Sequence, residues 1–187
     1  MLVENFISQM EYINTEVLRT FSELSPAQMN YRPMSSVWSV AQNFEHLIKA
    51  NNSYLPALES IKSGENKVSF MGKMRWWRNM CGKYILKSVE PTRSKKIPTF
   101  PIWQPAMSDS SQTILDDFRK NQEQLVAAVV DNRTAIEEGV SIGSPANQNI
   151  VYTVQKALEI IVSHANRHIL QAKEMLPLIQ DYDQSKI

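Results

Sequence analysis

Apolar side chains recur at steps of three and four positions along four segments of this chain, each of roughly twenty residues. That period places the apolar residues on one face of an α-helix, so each segment has a side to bury. The four segments run from about Val3 to Leu24, from Val40 to Ser63-Gly64, from Ser108-Asp109 to Asp131-Asn132, and from Thr153 to near Pro177. β-hairpin patterns are scarce, and a length of 187 residues suits one domain. The pattern therefore predicts an all-α fold, a four-helix bundle in a single domain spanning residues 1–187.

Local signals mark where these helices start and bend. Ser39 and Gln42 form an S-x-x-Q capping box, which predicts that the second helix begins at Val40. Ser25-Pro26 places a capping serine before a proline, which predicts a short helix after the first long one. Pro56 lies inside the second segment and predicts a kink or a break there.

The connection between the second and third helices is long, at roughly forty-five residues where paired helices usually need about two to eight. It contains its own helical pattern from about Met71 to Val89, and four prolines then keep the chain extended: Pro91, Pro98, Pro101 and Pro105. A crossover of this length allows the second and third helices to run parallel. The stretch from Glu138 to Asn149, with two glycines and a proline, is predicted to be an irregular loop.

Several classes of protein are excluded by what the sequence lacks. The single cysteine, Cys81, rules out an intrachain disulfide framework and any multi-cysteine zinc or iron–sulfur site. No G-x-G-x-x-G, Walker or G-x-S-x-G motif occurs, which excludes the dinucleotide-binding, P-loop and α/β-hydrolase classes. The first residues lack the pattern of a signal peptide, and no apolar run is long enough to span a membrane. We therefore expect a cytoplasmic protein without a membrane partner.

All three histidines fall on predicted helices. His164 and His168 are four positions apart, so both imidazoles project from one helix face, which they share with Ile161 and Ala172. His46 lies within or beside the buried face of the second helix. Three imidazoles converging inside a bundle suit a divalent ion and leave a fourth position open, as in catalytic zinc sites. The alternative is that they are ordinary hydrogen-bonded core histidines, and spacing alone leaves both interpretations open.

Two motifs resemble the signatures of a known family. The sequence W-S-V-A-Q-N-F-E-H-L at 38–47 resembles the second-helix signature of the DinB-like superfamily, and H-A-N-R-H-I-L-Q at 164–171 resembles its fourth-helix signature, H-x-x-R-H-x-x-Q. The resemblance implies a bundle of up-down-down-up topology and a divalent metal, zinc or nickel first, held by His46, His164 and His168. It also implies a homodimer. Asn43 and Gln171 lie one turn from these ligands and are candidates to orient an imidazole or a water molecule.

The resemblance also suggests a type of chemistry. Relatives include bacillithiol S-transferases and the mycothiol-dependent maleylpyruvate isomerase, which implies metal-dependent thiol transfer to a small molecule, with a low-molecular-weight thiol as co-substrate. Hydrolysis is the second expectation. No catalytic residue follows beyond the metal ligands, because Glu45 lies about 100° around its helix from His46 and does not suit a general base. Cys81 is expected to be a buried structural residue rather than a nucleophile.

The stretch from Lys67 to Lys96 is basic and rich in aromatic residues. It holds nine basic residues against one acid, Glu90, so the rest of the chain carries a net charge of about −7. Its aromatic members include Trp76, Trp77 and Tyr84. This segment could be an anion-binding rim, a contact with nucleic acid or membrane, or a solvated amphipathic helix. The pI of the whole chain, 7.8, favours the solvated helix. We therefore expect no nucleic-acid partner.

The location of this basic segment in the fold would distinguish two functional hypotheses. Tryptophans lining a cavity over the histidines would favour an enzyme with an enlarged lid. Exposure far from the histidines would favour the alternative function, a non-catalytic metal- or ligand-binding stress protein that acts through this surface.

Overall fold

The structure is a computed structural model that describes residues 2–92, 98–110 and 112–184. The helices and strands, in chain order, are α1 (Leu2–Phe21), α2 (Pro26–Asn30), α3 (Val40–Asn52), α4 (Leu55–Lys62), α5 (Arg75–Ser88), α6 (Ile114–Asp131), α7 (Arg133–Glu137), β1 (Ser141–Ser144), β2 (Asn147–Thr153), α8 (Val154–Lys173) and α9 (Met175–Gln184). Short 3₁₀ helices lie at Phe70–Lys73 and Pro101–Trp103. The fold is mostly helical with a small two-stranded sheet, which confirms the all-α expectation in its broad form.

Four long helices enclose the hydrophobic core. Both α1 and α3 pack against α6 and α8, so the apolar faces of these helices meet in the centre. Three buried phenylalanines illustrate the packing: Phe44 of α3 lies 5.3 Å from Phe21 of α1 and 5.2 Å from Phe118 of α6, measured between ring centroids. Burial of the matched helical stripes is what holds the four helices together.

The capping signals are confirmed in detail. Ser39 accepts a hydrogen bond from the Gln42 amide while the Gln42 side chain accepts one from the Ser39 amide, and Ser25 with Gln28 repeats the arrangement at α2. The second segment breaks at residues 53–54, between α3 and α4, so that Pro56 occupies the first turn of α4. Gly64 then adopts a positive φ of 74° just beyond the end of α4.

Three predicted helix boundaries were wrong. The third helix starts at Ile114 rather than directly after Ser108-Asp109, because residues 112–113 form a turn before it. The first helix ends at Phe21 rather than Leu24, because the chain must turn before the Ser25 cap. The fourth does not stop near Pro177: α8 ends at Lys173, and α9 continues with Pro177 in its first turn, where the missing amide hydrogen removes no helical bond.

The prediction of an irregular loop over 138–149 was also wrong in part. β1 and β2 form an antiparallel hairpin in which Ile142 pairs with Tyr152 and Gly143 with Val151. The hairpin is buried where it meets the core, through Ile142, Val151 and Tyr152. β2 leads directly into α8, so the hairpin sits at the N-terminal end of that helix.

The crossover between α4 and α6 has two parts. The expected helix over 71–89 is divided at Met74 into the first 3₁₀ helix and α5, and α5 packs against β2 and α8. Arg93, Lys95 and Lys96 of the basic segment lie outside the described residues. The second part, residues 98–107, is named here the strap, and it runs along α3.

No helix in the described ranges has both the length and the apolar character that crossing a membrane requires.

The capping box of α3 provides a test of the fold. Replacing Ser39 by alanine removes the acceptor for the Gln42 amide in a buried setting, so we expect a loss of about 1 kcal/mol in the free energy of unfolding. Urea denaturation measures this loss. Ser25→Ala, in the equivalent but exposed capping box of the five-residue α2, is the matched control and should cost less. Equal losses in both variants would contradict the prediction.

Candidate metal centre

His46 of α3 and His164 and His168 of α8 come together, as their positions predicted. One nitrogen from each ring forms a set in which all three atoms lie within 4.8 Å of one another. The Nε2 atoms of His46 and His164 are 3.0 Å apart. His46 and His168 are buried and His164 is half-buried.

Hydrogen bonds fix which ring nitrogen is free in two of the histidines. His46 Nδ1 lies 2.7 Å from the carbonyl oxygen of Trp103, and His168 Nδ1 lies 2.8 Å from Asn43 Oδ1. The Asn43 amide nitrogen donates to the carbonyl of Ser39, which turns Oδ1 toward the ring. Because both partners can only accept, each Nδ1 carries the proton and each Nε2 keeps a lone pair.

The donor set fits a divalent ion. Neutral imidazole nitrogen is a preferred ligand of zinc and nickel, and partners that hold the opposite ring nitrogen are the usual support of a ligating histidine. Two nitrogens that each lie about 2.1 Å from one ion are separated by roughly 3.0–3.4 Å, which agrees with the separation of His46 and His164. The three histidines could therefore hold a metal.

Burial keeps these rings uncharged. Desolvation lowers the pKa of His46, and lowers that of His164 to about 3. The pKa of His168 lies well below its usual value because the ring is desolvated and its protonated form would be repelled by His164 and His46. At neutral pH no imidazolium therefore has to be deprotonated before an ion binds.

Aromatic rings and the strap cover the histidines. The indole of Trp38 stacks on His168, with centroids 5.7 Å apart, and lies 5.0 Å from His46. From the strap, Trp103 accepts the His46 bond through its backbone and donates from its indole nitrogen to Ser53 Oγ at 3.1 Å.

A row of α3 side chains holds the strap in place. Gln42 donates to the carbonyl of Ala106 at 2.7 Å, and Lys49 donates to the carbonyl of Gln104 at 2.9 Å. Glu45 accepts from the Ala106 amide at 3.0 Å and forms an ion pair with Lys49. The prediction that Glu45 is not oriented toward His46 agrees with these contacts, which engage its carboxylate with the strap.

A cavity of about 420 Å³ opens beside the three histidines. Trp38, Phe100 and Trp103 contribute aromatic walls, and Asn43 and Gln171, the two predicted orienting residues, are both in the lining. Asn43 orients His168 rather than the neighbouring His46. The contribution of Trp103 was missed, because a backbone carbonyl on an irregular strap leaves no side-chain pattern in the sequence.

Only part of the basic segment reaches the cavity. Its end reaches the cavity through Ile85, Ser88 and Val89, whereas Trp76, Trp77 and Tyr84 are not among the lining residues. Cys81 is buried, as expected, and also lies outside the lining.

The sequence matches a family model, that of the DinB superfamily, over residues 9–172. The chain belongs to the DinB superfamily. The matched span contains all three histidines, Asn43 and the whole strap, so the family resemblance seen in the two histidine motifs extends across the bundle. Searches of curated proteins and of solved structures found no match.

The buried histidines of this DinB-superfamily chain give it a pH-dependent stability. In the unfolded chain histidine titrates near pH 6.5, whereas the folded protein holds all three pKa values lower, so the unfolded state binds more protons below pH 6.5. We expect the free energy of unfolding of the metal-free protein to fall as the pH drops from 6.5 toward 5. The slope is at most about 1.4 kcal/mol per pH unit for each histidine that stays neutral.

Denaturant titrations at several pH values measure this slope. His164→Gln removes one of the titrating rings, so its slope should be shallower than that of the wild type. Parallel slopes in the two proteins would contradict the prediction.

Proposed function

We propose that His46, His164 and His168 hold one divalent metal ion, zinc or nickel first, and that the adjoining cavity binds the small-molecule substrate of a metal-dependent enzyme. One observation carries this proposal: Trp103 and Asn43 fix the Nδ1 protons, and the free nitrogens converge at the cavity wall. Core histidines without a ligand would also need acceptors for their N–H groups, but they would have no reason to bring one nitrogen from each of three rings within 4.8 Å of one another.

The chemistry that a divalent ion supplies when bound is a lower pKa for a thiol or water molecule in the cavity. The three imidazoles hold the ion, Asn43 and the strap carbonyl orient two of them, and Trp38 and Trp103 limit access of bulk water. In thiol transfer the sulfur forms a bond to an electrophilic carbon, the leaving group departs with its electron pair, and the thiol proton leaves with it. This reaction, with a low-molecular-weight thiol, is our first proposal from the family resemblance, and hydrolysis is the second.

We also propose the up-down-down-up topology for the bundle. Its support is the order of contacting side chains: Asn43 with His168 and Tyr54 with Tyr152 indicate that α3 and α8 run in opposite directions. Asn51 with Asn121, followed by Lys62 with Asp131, indicates that α3–α4 and α6 run in the same direction. A homodimer without a nucleic-acid partner is the assembly we propose.

A second candidate function rests on the exposed face of α5. Trp76 and Tyr84 are 59% and 70% exposed, beside the exposed Lys83 and Lys87. Their exposure and their absence from the cavity lining favour a role of this surface in binding a partner, independent of chemistry at the histidines.

Metal content tests the main proposal. Elemental analysis of tag-free protein purified without chelator should find about one divalent ion per chain, lost in His46→Ala and in His164→Ala. Asn166→Ala, on a different side of α8 from the histidines, should retain the metal. A wild type without metal after reloading at neutral pH would overturn the proposal.

The role of Asn43 predicts a smaller and more specific effect. Asn43→Ala removes the acceptor for His168 Nδ1 but no ligand, so we expect metal affinity to weaken about 10- to 100-fold. Asn43→Asp restores an acceptor and should recover most of that loss. Competition with a chromophoric chelator measures the affinities, and equal affinity in the alanine variant and the wild type would contradict this role.

A further inference from the structure

We infer that the cavity has two chemically different lobes, one on each side of the three histidines, and that its inner lobe binds an alkyl or aryl group of the substrate. This inference rests on the proposed function, since the histidines and their metal would lie between the lobes. The reactive centre of this substrate would lie near the histidines, and the outer lobe would be left to a polar co-substrate.

The lining of the cavity changes character along α8. Arg167, Gln171 and Glu174 all lie on the C-terminal side of His164, in what we call the outer lobe. On the N-terminal side, α8 contributes Ile160 and Ile161. With a rise of about 1.5 Å per residue, the lining from residue 160 to residue 174 spans about 21 Å, which is enough to separate two binding regions.

The inner lobe is built from apolar side chains of four parts of the fold. They come from α3, α5, the hairpin and α8: Ala50, Ile85, Ala146, Ile150, Ile160 and Ile161. The hairpin leads directly into α8, which places Ala146 and Ile150 at the same end of that helix as Ile160. This surface offers an apolar group several side chains to contact and little to hydrogen-bond.

The polar residues of the inner lobe already have partners. Tyr54 and Tyr152 share a hydrogen bond of 2.9 Å between their hydroxyls, and Ser144 bonds to Tyr152. Asn51 donates to Asn121 Oδ1 at 2.8 Å.

The Ser88 hydroxyl is also engaged, since it donates to the carbonyl of Ile85 at 2.6 Å. A polar ligand in the inner lobe would therefore lose its bonds to water and find few replacements, which is costly.

The outer lobe, in contrast, has polar side chains that are not engaged in hydrogen bonds within the described part of the chain. Met175 and Leu178 of α9 also line the outer lobe, but Gln171 and Glu174 make no side-chain hydrogen bond to any residue in the described ranges, so both can bind a polar group. A hydrophilic thiol fits this lobe better than the inner one. The two lobes would thus receive the two reactants of a thiol transfer from opposite sides of the histidines.

A series of alkyl hydroxamates on the nickel- or zinc-loaded protein tests the inference. The hydroxamate group binds the metal in every member, while the tail lengthens from acetohydroxamate through hexanohydroxamate to octanohydroxamate. We expect affinity, measured by calorimetry, to rise with tail length by up to about fourfold for each methylene buried. Equal affinity across the series would overturn the inference.

Two variants locate the tail. Ala146→Trp fills the inner lobe from the hairpin turn, outside the packed core, and should weaken octanohydroxamate at least tenfold while leaving acetohydroxamate within twofold. Leu178→Trp makes a matched change in the outer lobe and should leave the dependence on tail length intact. Equal effects of the two variants would overturn the assignment of the lobes, whereas a wild type that takes up no nickel or zinc before the titrations would instead show that the proposed metal site is wrong.

Discussion

Placing three imidazoles within a few ångströms of one another is the constraint on which the rest of this structure depends. Each ring must stay uncharged, because the cavity desolvates it and a proton on one ring repels a proton on the next. Neutral rings still need partners for their N–H groups. Trp103 and Asn43 supply these partners and so decide the direction of the free nitrogens. The cap of α3 takes part as well, since the carbonyl of Ser39 orients Asn43.

The position of the strap is explained by the same requirement, that buried polar groups have hydrogen-bond partners. Its prolines donate no backbone hydrogen bond, and apart from Phe100 and Pro101, whose carbonyls accept bonds in the 3₁₀ turn, its backbone carbonyls have no backbone partner in a helix or sheet of the described residues. Side chains of α3 supply the donors, with Gln42 and Lys49 on either side of His46. His46 is one more donor in this row, so a single face of α3 both anchors the crossover and presents a candidate ligand.

Periodicity and capping made the long helices and the three histidines predictable, because each of these features repeats in the sequence or occupies a fixed spacing. The hairpin was missed because β2 begins with the polar residues 147–149, and only Ile150, Val151 and Tyr152 have the composition of a strand. The sequence predicted an extended segment here, but the contact of the strap with His46 was missed for a different reason. The strap acts on the site largely through backbone atoms, as at Trp103 and Ala106, and side-chain patterns carry no record of such contacts.

The crossover helix α5 contributes to two different surfaces. Gly82 lets it approach the hairpin and α8 closely, since a Cβ there would lie 2.7 Å from Lys156 Cγ. That close approach brings Ile85 to the inner lobe while Trp76 and Tyr84 remain on the solvent side. The exposed face and the cavity wall share no side chain of α5, so we expect substitutions on the exposed face to leave the cavity wall unchanged. The proposed partner-binding function and the proposed chemistry at the histidines therefore rest on different side chains.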